Sequence, residues 1–364
     1  MKRICFFSGD ITRSGGTERV AVLVAQRLAE EFDVIFLSIM EQNKTTFFPV
    51  PESIPRHVLS TAKKWKKPGP EYFPLIPRLR RFLKNWKVDI IVDIDRILDL
   101  LTVPAAAGLP VKLVAWEHFN YDYQWPSLPY RIFRKAAAAF TVRYADHIVT
   151  LTERDRENYC TRLGRQTGVS VIHNPVEFPW EPEDQKAREK ILITVGRLTR
   201  VKGTDLLAEL APKLLDRHRD WKWYVLGEGE DRKLLETAVT RHHLEERLIL
   251  TGNVQDVKAY LKKASLYVMT SRAEGLPMCL LESVGCGVPC VSFDIATGPG
   301  EIIMDGKNGF LIPPFDMQQM TEKLSLLMED HTLRREFQKN TAKSREKFRL
   351  EPVILQWKKL LNTL

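Results

Sequence analysis

The chain has 364 residues, 44% of them hydrophobic, enough for about two domains of ordinary size, each with its own core. No stretch reaches the ~18 uninterrupted apolar residues of a transmembrane helix, and the apolar start Ile4-Cys5-Phe6-Phe7 stops at Ser8-Gly9-Asp10, too soon for a signal-peptide core, so a cytosolic protein is expected. The net charge of +9 is unevenly spread: residues 56–87 carry ten basic side chains and one acid, Glu71, a block that points to anionic lipid, diphosphate or nucleic acid.

Five scattered cysteines, none in a CxxC pair, read as free thiols and exclude a disulfide framework or a zinc site. In chain order, Ile4–Ser8, Val34–Ser38, Ile90–Val92, Leu113–Trp116, His147–Leu151 and Ser170–His173 read as strands, with helices such as Thr17–Glu31 and Ile76–Trp86 between them. This alternation predicts a parallel, doubly wound α/β sheet. The proline- and acid-rich run Asn174–Pro182 interrupts the rhythm as a linker. The alternation then restarts with strands Ile191–Val195, Trp223–Leu226, Leu248–Thr251, Leu266–Thr270 and Cys290–Phe293. The expected division is a domain over 1–174, a linker over 175–189, a second domain over 190–343 and a terminal helix over 344–364 that crosses back to the first domain. Ligands of such sheets bind beyond the carboxyl ends of the strands, and two sheets facing each other place a ligand in the cleft between them.

Three loops after strands carry candidate chemistry. In Ser14-Gly15-Gly16-Thr17-Glu18 two glycines let backbone approach a ligand at a helix N-terminus; the same residues also read as an ordinary capped turn. In Gly196-Arg197-Leu198-Thr199-Arg200-Val201-Lys202-Gly203, Arg197 can fork two phosphate oxygens and Lys202 adds a point charge; a solvated basic loop is the alternative. In Glu274-Gly275-Leu276-Pro277 followed by Leu281-Glu282, Pro277 suits a first helical position. The amides around Gly275 can then face an anion, and the two carboxylates suit sugar and ribose hydroxyls. Glu274 as a turn residue and Glu282 as a paired helix acid remain open.

Together these residues resemble the family-4 retaining glycosyltransferases, whose E-x7-E motif corresponds to Glu274 and Glu282. Gly196-Arg197-Leu198 through Lys202-Gly203 is similar to the family's diphosphate loop, Gly15-Gly16-Thr17-Glu18 to its GG-x-E loop and Glu117-His118 to its Glu-His pair. His173-Asn174-Pro175 and Gly298–Ile303 also fit, in order. The resemblance implies a GT-B fold of two Rossmann-like domains facing each other across a donor cleft. It implies that Arg197 and Lys202 neutralise the donor diphosphate and that Gly15 and Gly16 approach it. Gly275, Leu276 and Pro277 complete the donor loop, Glu282 holds the ribose, Glu274 contacts the sugar, and His118 lies near the reacting centre or acceptor. The implied reaction retains anomeric configuration and needs neither metal nor cofactor, because fixed cations stabilise the departing diphosphate. The nearest likeness is to bacterial enzymes that extend undecaprenyl-diphosphate-linked oligosaccharides. The donor expectation is a UDP-sugar, favoured over GDP-mannose, carrying a hexose or N-acetylhexosamine.

Asp93-Ile94-Asp95 spells D-x-D but ends an apolar strand far in sequence from the diphosphate loop, which argues against a metal role. Gly227-Glu228-Gly229 lacks the third glycine of a dinucleotide fingerprint, and its neighbouring acids would repel a pyrophosphate. A same-fold epimerase, a glycan polymerase and a non-catalytic binding protein are the competing readings. On a helix through 76–87, Ile76, Leu79, Leu83 and Trp86 share one face as core. Arg78, Arg80, Arg81 and Lys84 then meet a lipid-linked glycan acceptor or an anionic membrane, with Lys63, Lys64, Lys66 and Lys67 extending the patch. No nucleic-acid motif accompanies these cations. The expected location is therefore peripheral, on the inner face of the cell membrane.

Overall fold

The computed structural model describes residues 1–60, 72–121, 123, 128–177 and 188–364. Contacts divide the chain into two units, Met1–Pro175 with Leu350–Leu364, and Val176–Arg349. The lysines at 63, 64, 66 and 67 and most of the expected linker lie outside the described residues.

The first unit holds strands β1 (Arg3–Ser8), β2 (Asp33–Ser38), β3 (Arg56–Val58), β4 (Ile90–Ile94), β5 (Lys112–Trp116), β6 (His147–Thr150) and β7 (Val169–Val171). They form one sheet in the order β3-β2-β1-β4-β5-β6-β7, every neighbour parallel. The central strands β1, β2 and β4 are buried almost throughout, which is why they read as continuous apolar runs rather than alternating ones. β3 escapes a sequence reading because it is three residues long at the sheet edge, with no apolar run of its own.

Helix Leu75–Asn85 buries Leu75, Leu79 and Leu83, and Ile76, Phe82 and Trp86 pack partly on the same core. Its apolar face is therefore core. On its polar face one of the expected contact cations also has a structural role. Arg80 Nη1 donates to the carbonyls of Ala105 (2.9 Å) and Ala107 (2.6 Å), satisfying the open end of helix Asp99–Ala106. Arg80 is thus a half-buried capping cation. Arg78 also reaches a carbonyl, Leu59 O at 3.3 Å, while Arg81 and Lys84 are exposed.

The second unit holds β8 (Ile191–Val195), β9 (Lys222–Leu226), β10 (Leu248–Gly252), β11 (Leu266–Met269), β12 (Cys290–Phe293) and β13 (Gly309–Ile312), in the order β10-β9-β8-β11-β12-β13, again parallel throughout. Its core joins Trp221, Trp223, Phe293 and Phe337 with leucines of helices Thr204–Arg217 and Met317–Glu329.

The helix His331–Arg345 runs through the expected boundary at 344. The terminal helix begins instead at Leu350, after the short turn Glu346–Phe348, and belongs to the first unit. Trp357 packs edge-on against Trp116, with centroids 4.8 Å apart. Lys2 Nζ donates to Leu361 O at 3.0 Å, and Lys358 pairs with Glu31 at 3.1 Å. Among the described residues, no helix is long and apolar enough to cross a membrane.

Candidate active site

In the second unit the strand order reverses direction between β8 and β11, which are hydrogen-bonded neighbours. Loops leaving the carboxyl ends of two such strands diverge and leave a crevice, the usual ligand position of open α/β sheets. The Arg197–Gly203 loop leaves β8, and the Ser271–Pro277 loop leaves β11.

The two loops are joined by an ion pair. Lys202 Nζ donates to both carboxylate oxygens of Glu274, at 2.7 and 2.8 Å. Burial alone would lower the lysine pKa, but the Glu274 carboxylate outweighs it and holds Lys202 above the usual lysine value. Glu274 is fixed in turn: its Oε1 accepts from Ser271 Oγ at 2.7 Å, and its carbonyl from Thr297 Oγ1 at 2.6 Å. Gly203 closes the Lys202 turn in the left-handed region, φ +71°, with Thr270 O only 1.9 Å from where a Cβ would sit, so only glycine lets this loop lie against the end of β11. Arg272 secures the other side, donating to both oxygens of Asp205 at 2.7 and 2.8 Å. Ser271, Thr297 and the Arg272–Asp205 pair were not picked out by motif. Their partners are distant in sequence, and no spacing signals them.

Arg197 is exposed and makes no ion pair or hydrogen bond with the described residues, so its guanidinium is available to a ligand. Pro277 sits one position earlier than expected, as the N-cap of helix Met278–Gly285 rather than inside it. It carries Gly275 and Leu276 just ahead of the helix, whose first-turn amides lack intrahelical partners. Glu282 is buried within that helix.

In the first unit, Gly15 caps helix Gly16–Leu28. The Glu18 carboxylate lies against it, with Oε2 2.2 Å from an ideal Cβ position. A side chain at 15 would meet that acid, the movable end of a flexible side chain. His118 follows β5. It is buried, its ring lies on Trp116 with centroids 4.4 Å apart, and its Nε2 has no partner among the described residues. Burial, opposed only in part by Asp95, lowers its pKa to about 4. At neutral pH the imidazole is uncharged and can accept or share a hydrogen bond.

Glu117 does something different from its neighbour. Its carboxylate is ringed by Arg96 (2.8 Å), Arg134 (3.3 Å), Tyr159 Oη (3.2 Å) and the amide of Phe119 (3.0 Å). Burial alone would lower the pKa of both arginines; the carboxylates of Glu117 and, for Arg134, Asp95 outweigh it. Asp93 and Asp95 diverge: Asp93 accepts from Thr102 at 3.0 Å, whereas Asp95 pairs with Arg134 at 2.9 Å.

Residues 14–178 match the family described as Glycosyltransferase Family 4, and residues 180–344 match Glycosyl transferases group 1. Over 362 residues the chain is 28% identical to an uncharacterized glycosyltransferase of Haemophilus influenzae, covering 99% of this chain and 100% of the relative. It is 26% identical over 371 residues to the Campylobacter jejuni GalNAc-alpha-(1->4)-GalNAc-alpha-(1->3)-diNAcBac-PP-undecaprenol alpha-1,4-N-acetyl-D-galactosaminyltransferase, covering 99% and 98%. In fold it is similar to Anabaena HepE, solved in complex with UDP, with a TM-score of 0.82 at 19% identity and full coverage of both chains. Two successive parallel sheets, with a Family 4 match on the first unit and a group 1 match on the second, make this chain a family-4-like glycosyltransferase of GT-B fold.

Proposed function

We propose that the enzyme transfers a hexose or N-acetylhexosamine, with retention, from a UDP-sugar to a lipid-diphosphate-linked glycan during bacterial surface-glycan assembly. The observation that carries this reading is the Lys202–Glu274 pair bridging the loops of two adjacent strands. A lysine ammonium has three N–H donors, and Glu274 takes two of them. The third, with the open guanidinium of Arg197, serves the donor diphosphate, and the first-turn amides beyond Gly275, Leu276 and Pro277 add to it. Glu274, held by Ser271 and Lys202, meets the sugar ring, and the buried Glu282 carboxylate takes the ribose. Gly15 and Gly16 supply close backbone approach. Neutral His118 hydrogen-bonds the sugar or the acceptor hydroxyl. Charge developing on the leaving diphosphate is met by Arg197 and Lys202, so no metal or cofactor is invoked.

The relatives support the substrate classes. The Campylobacter enzyme is named for an undecaprenyl-diphosphate acceptor, and HepE was solved with UDP. Exposed Arg78, Arg81 and Lys84 are suited to the acceptor diphosphate or an anionic membrane surface, with the enzyme peripheral on its inner face. The test is a mass-spectrometric screen of UDP- and GDP-sugars with undecaprenyl-diphosphate-linked oligosaccharides, run with EDTA, and the product's anomeric coupling read by NMR. Transfer from a UDP-sugar with unchanged anomeric configuration is expected. An inverted product, or activity strictly dependent on added Mn²⁺, would overturn the mechanism.

A further inference from the structure

The end of β5 divides its side chains between two environments. In extended chain, side chains two residues apart share one side, and the Glu117 amide still donates to Val149 O at 2.9 Å, so the chain stays extended past Trp116. Glu117 turns into its arginine network. Trp116 and His118 turn together the other way, and their rings meet with centroids 4.4 Å apart.

Behind Trp116 stands Trp357 of the terminal helix Leu350–Thr363, edge-on at 4.8 Å. Phe6 of β1 meets a further side of Trp116 at 6.3 Å. Trp357 and Trp116 are wholly buried, whereas His118 keeps 7% of its surface. The stack therefore starts inside the unit, at the terminal helix, and ends at the imidazole. The helix that carries it is anchored along its length. Val353, Ile354, Leu360 and Leu361 are buried with Trp357. Lys2 Nζ donates to the carbonyls of Leu361 and Asn362 at 3.0 and 3.1 Å, a cation on the open carboxyl end of the helix. Asn362 Nδ2 donates to Glu31 at 3.1 Å, beside the Lys358 pair.

Neither indole uses its N–H among the described residues: Nε1 of Trp116 and Nε1 of Trp357 have no partner there. A buried donor left in that state costs stability that a phenyl or aliphatic side chain would not cost. What the two indoles contribute is ring surface, broad and rigid, which fixes the plane on which the imidazole lies and keeps water from its inner side. Burial is accordingly the main cause of the low pKa of His118, and the charge that opposes it is Asp95, itself paired with Arg134.

We propose that Trp357 is a positioning residue for His118, acting through the Trp116 ring, so that the terminal helix of the chain sets the place of the imidazole. This goes beyond the proposed function by giving that helix a part in the site, and it rests on that reading only for what His118 touches during transfer.

The experiment is a titration of His118 in the full-length protein, read from the imidazole Cε1–H signal by NMR and assigned with His118→Gln. The wild-type midpoint is expected at about 4. Trp357→Leu and Trp357→Met keep apolar bulk without a ring, and should raise it above about 5, toward the ~6.5 of a solvated imidazole. Trp357→Phe should keep the wild-type midpoint, because it restores a ring and loses no hydrogen bond. Leu79→Ala is the control. Leu79 is buried in a core cluster that includes neither tryptophan, so its loss should lower thermal stability and leave the midpoint in place. In transfer assays the leucine and methionine variants should lose about tenfold to a hundredfold in kcat. Their UDP affinity by calorimetry should stay unchanged, since the proposed donor contacts lie on the loops after β8 and β11. If one ringless variant does not fold, the other decides. Four results would overturn the inference: an unmoved midpoint in the ringless variants, a midpoint raised as far by Leu79→Ala, a phenylalanine variant that behaves like the leucine one, or UDP affinity that falls in step with kcat. Absence of transfer by the wild type with every donor would instead count against the proposed function, and the titration would still decide the inference.

Discussion

Two strand ends in this molecule carry dense charge and treat it in opposite ways. Beyond β4 and β5, buried Glu117, Arg96, Arg134 and Tyr159 and half-buried Asp95 close on one another, each carboxylate answered by a guanidinium. Beyond β8 and β11 the pairing is incomplete: Lys202 keeps one donor beyond its Glu274 contacts, and Arg197 stands exposed. A closed buried network fixes backbone, because removing any member strands a charge in low dielectric. An open one stays cationic toward solvent and so toward a diphosphate. The sequence pair Glu117-His118 straddles this difference: the glutamate belongs to scaffold, while the adjacent histidine's Nε2 has no partner among the described residues.

The contrast is broken most severely at Glu117. Replacing it by alanine leaves Arg96 and Arg134 buried without their shared carboxylate, and should destabilise the protein by about 3–5 kcal/mol. Urea unfolding monitored by circular dichroism measures it. A loss near the ~0–1 kcal/mol of a surface pair would mean that the network is not scaffold.

Lys202→Ala and Arg197→Ala should do the reverse, leaving unfolding nearly unchanged. Each should lower kcat/KM by the equivalent of about 1.5–3 kcal/mol, the worth of one hydrogen bond to a charged group. Steady-state kinetics with the identified donor decides this, and near-normal values in both variants would remove the diphosphate from this loop.

The smallest effect sharpens the comparison inside the first unit. Burial raises the pKa of Asp93 to about 7, with a lesser push from Asp95, and raises Asp99 well above the carboxylate range. A folded-state pKa above the unfolded one means that the native state holds the extra proton. The stability from Asp93 is complete below about pH 4 and is lost as pH rises through 7. His118, lowered to about 4, works with the opposite sign, losing stability as pH falls below its ordinary value. The informative quantity is therefore the difference between wild type and Asp93→Asn. The variant should show a flatter decline in urea-unfolding free energy between acid and neutral pH. An identical slope would mean that Asp93 is ionised in the fold.

What the sequence determined by itself was the fold class and the local framing of the candidate loops. Apolar runs alternating with amphipathic stretches dictate parallel α/β sheets, and Gly203, Arg197, Lys202, Glu274 and Pro277 stand at strand ends because strands must end in turns that glycine and proline permit. The core face of helix Leu75–Asn85 was legible from its 3.6-residue spacing. The tertiary structure decided everything that depends on which distant segments meet. Strand order is set by long-range packing, and only the adjacency of β8 and β11 brings Lys202 to Glu274, 72 residues away. The same long-range closure gave Arg80 a capping role by placing the carbonyls of Ala105 and Ala107 within its reach. It also chose the buried side of helix Leu128–Tyr144, which holds Arg134 and Thr141 and leaves Leu128, Ile132 and Tyr144 exposed, because the carboxylates that receive those two polar groups come from distant segments.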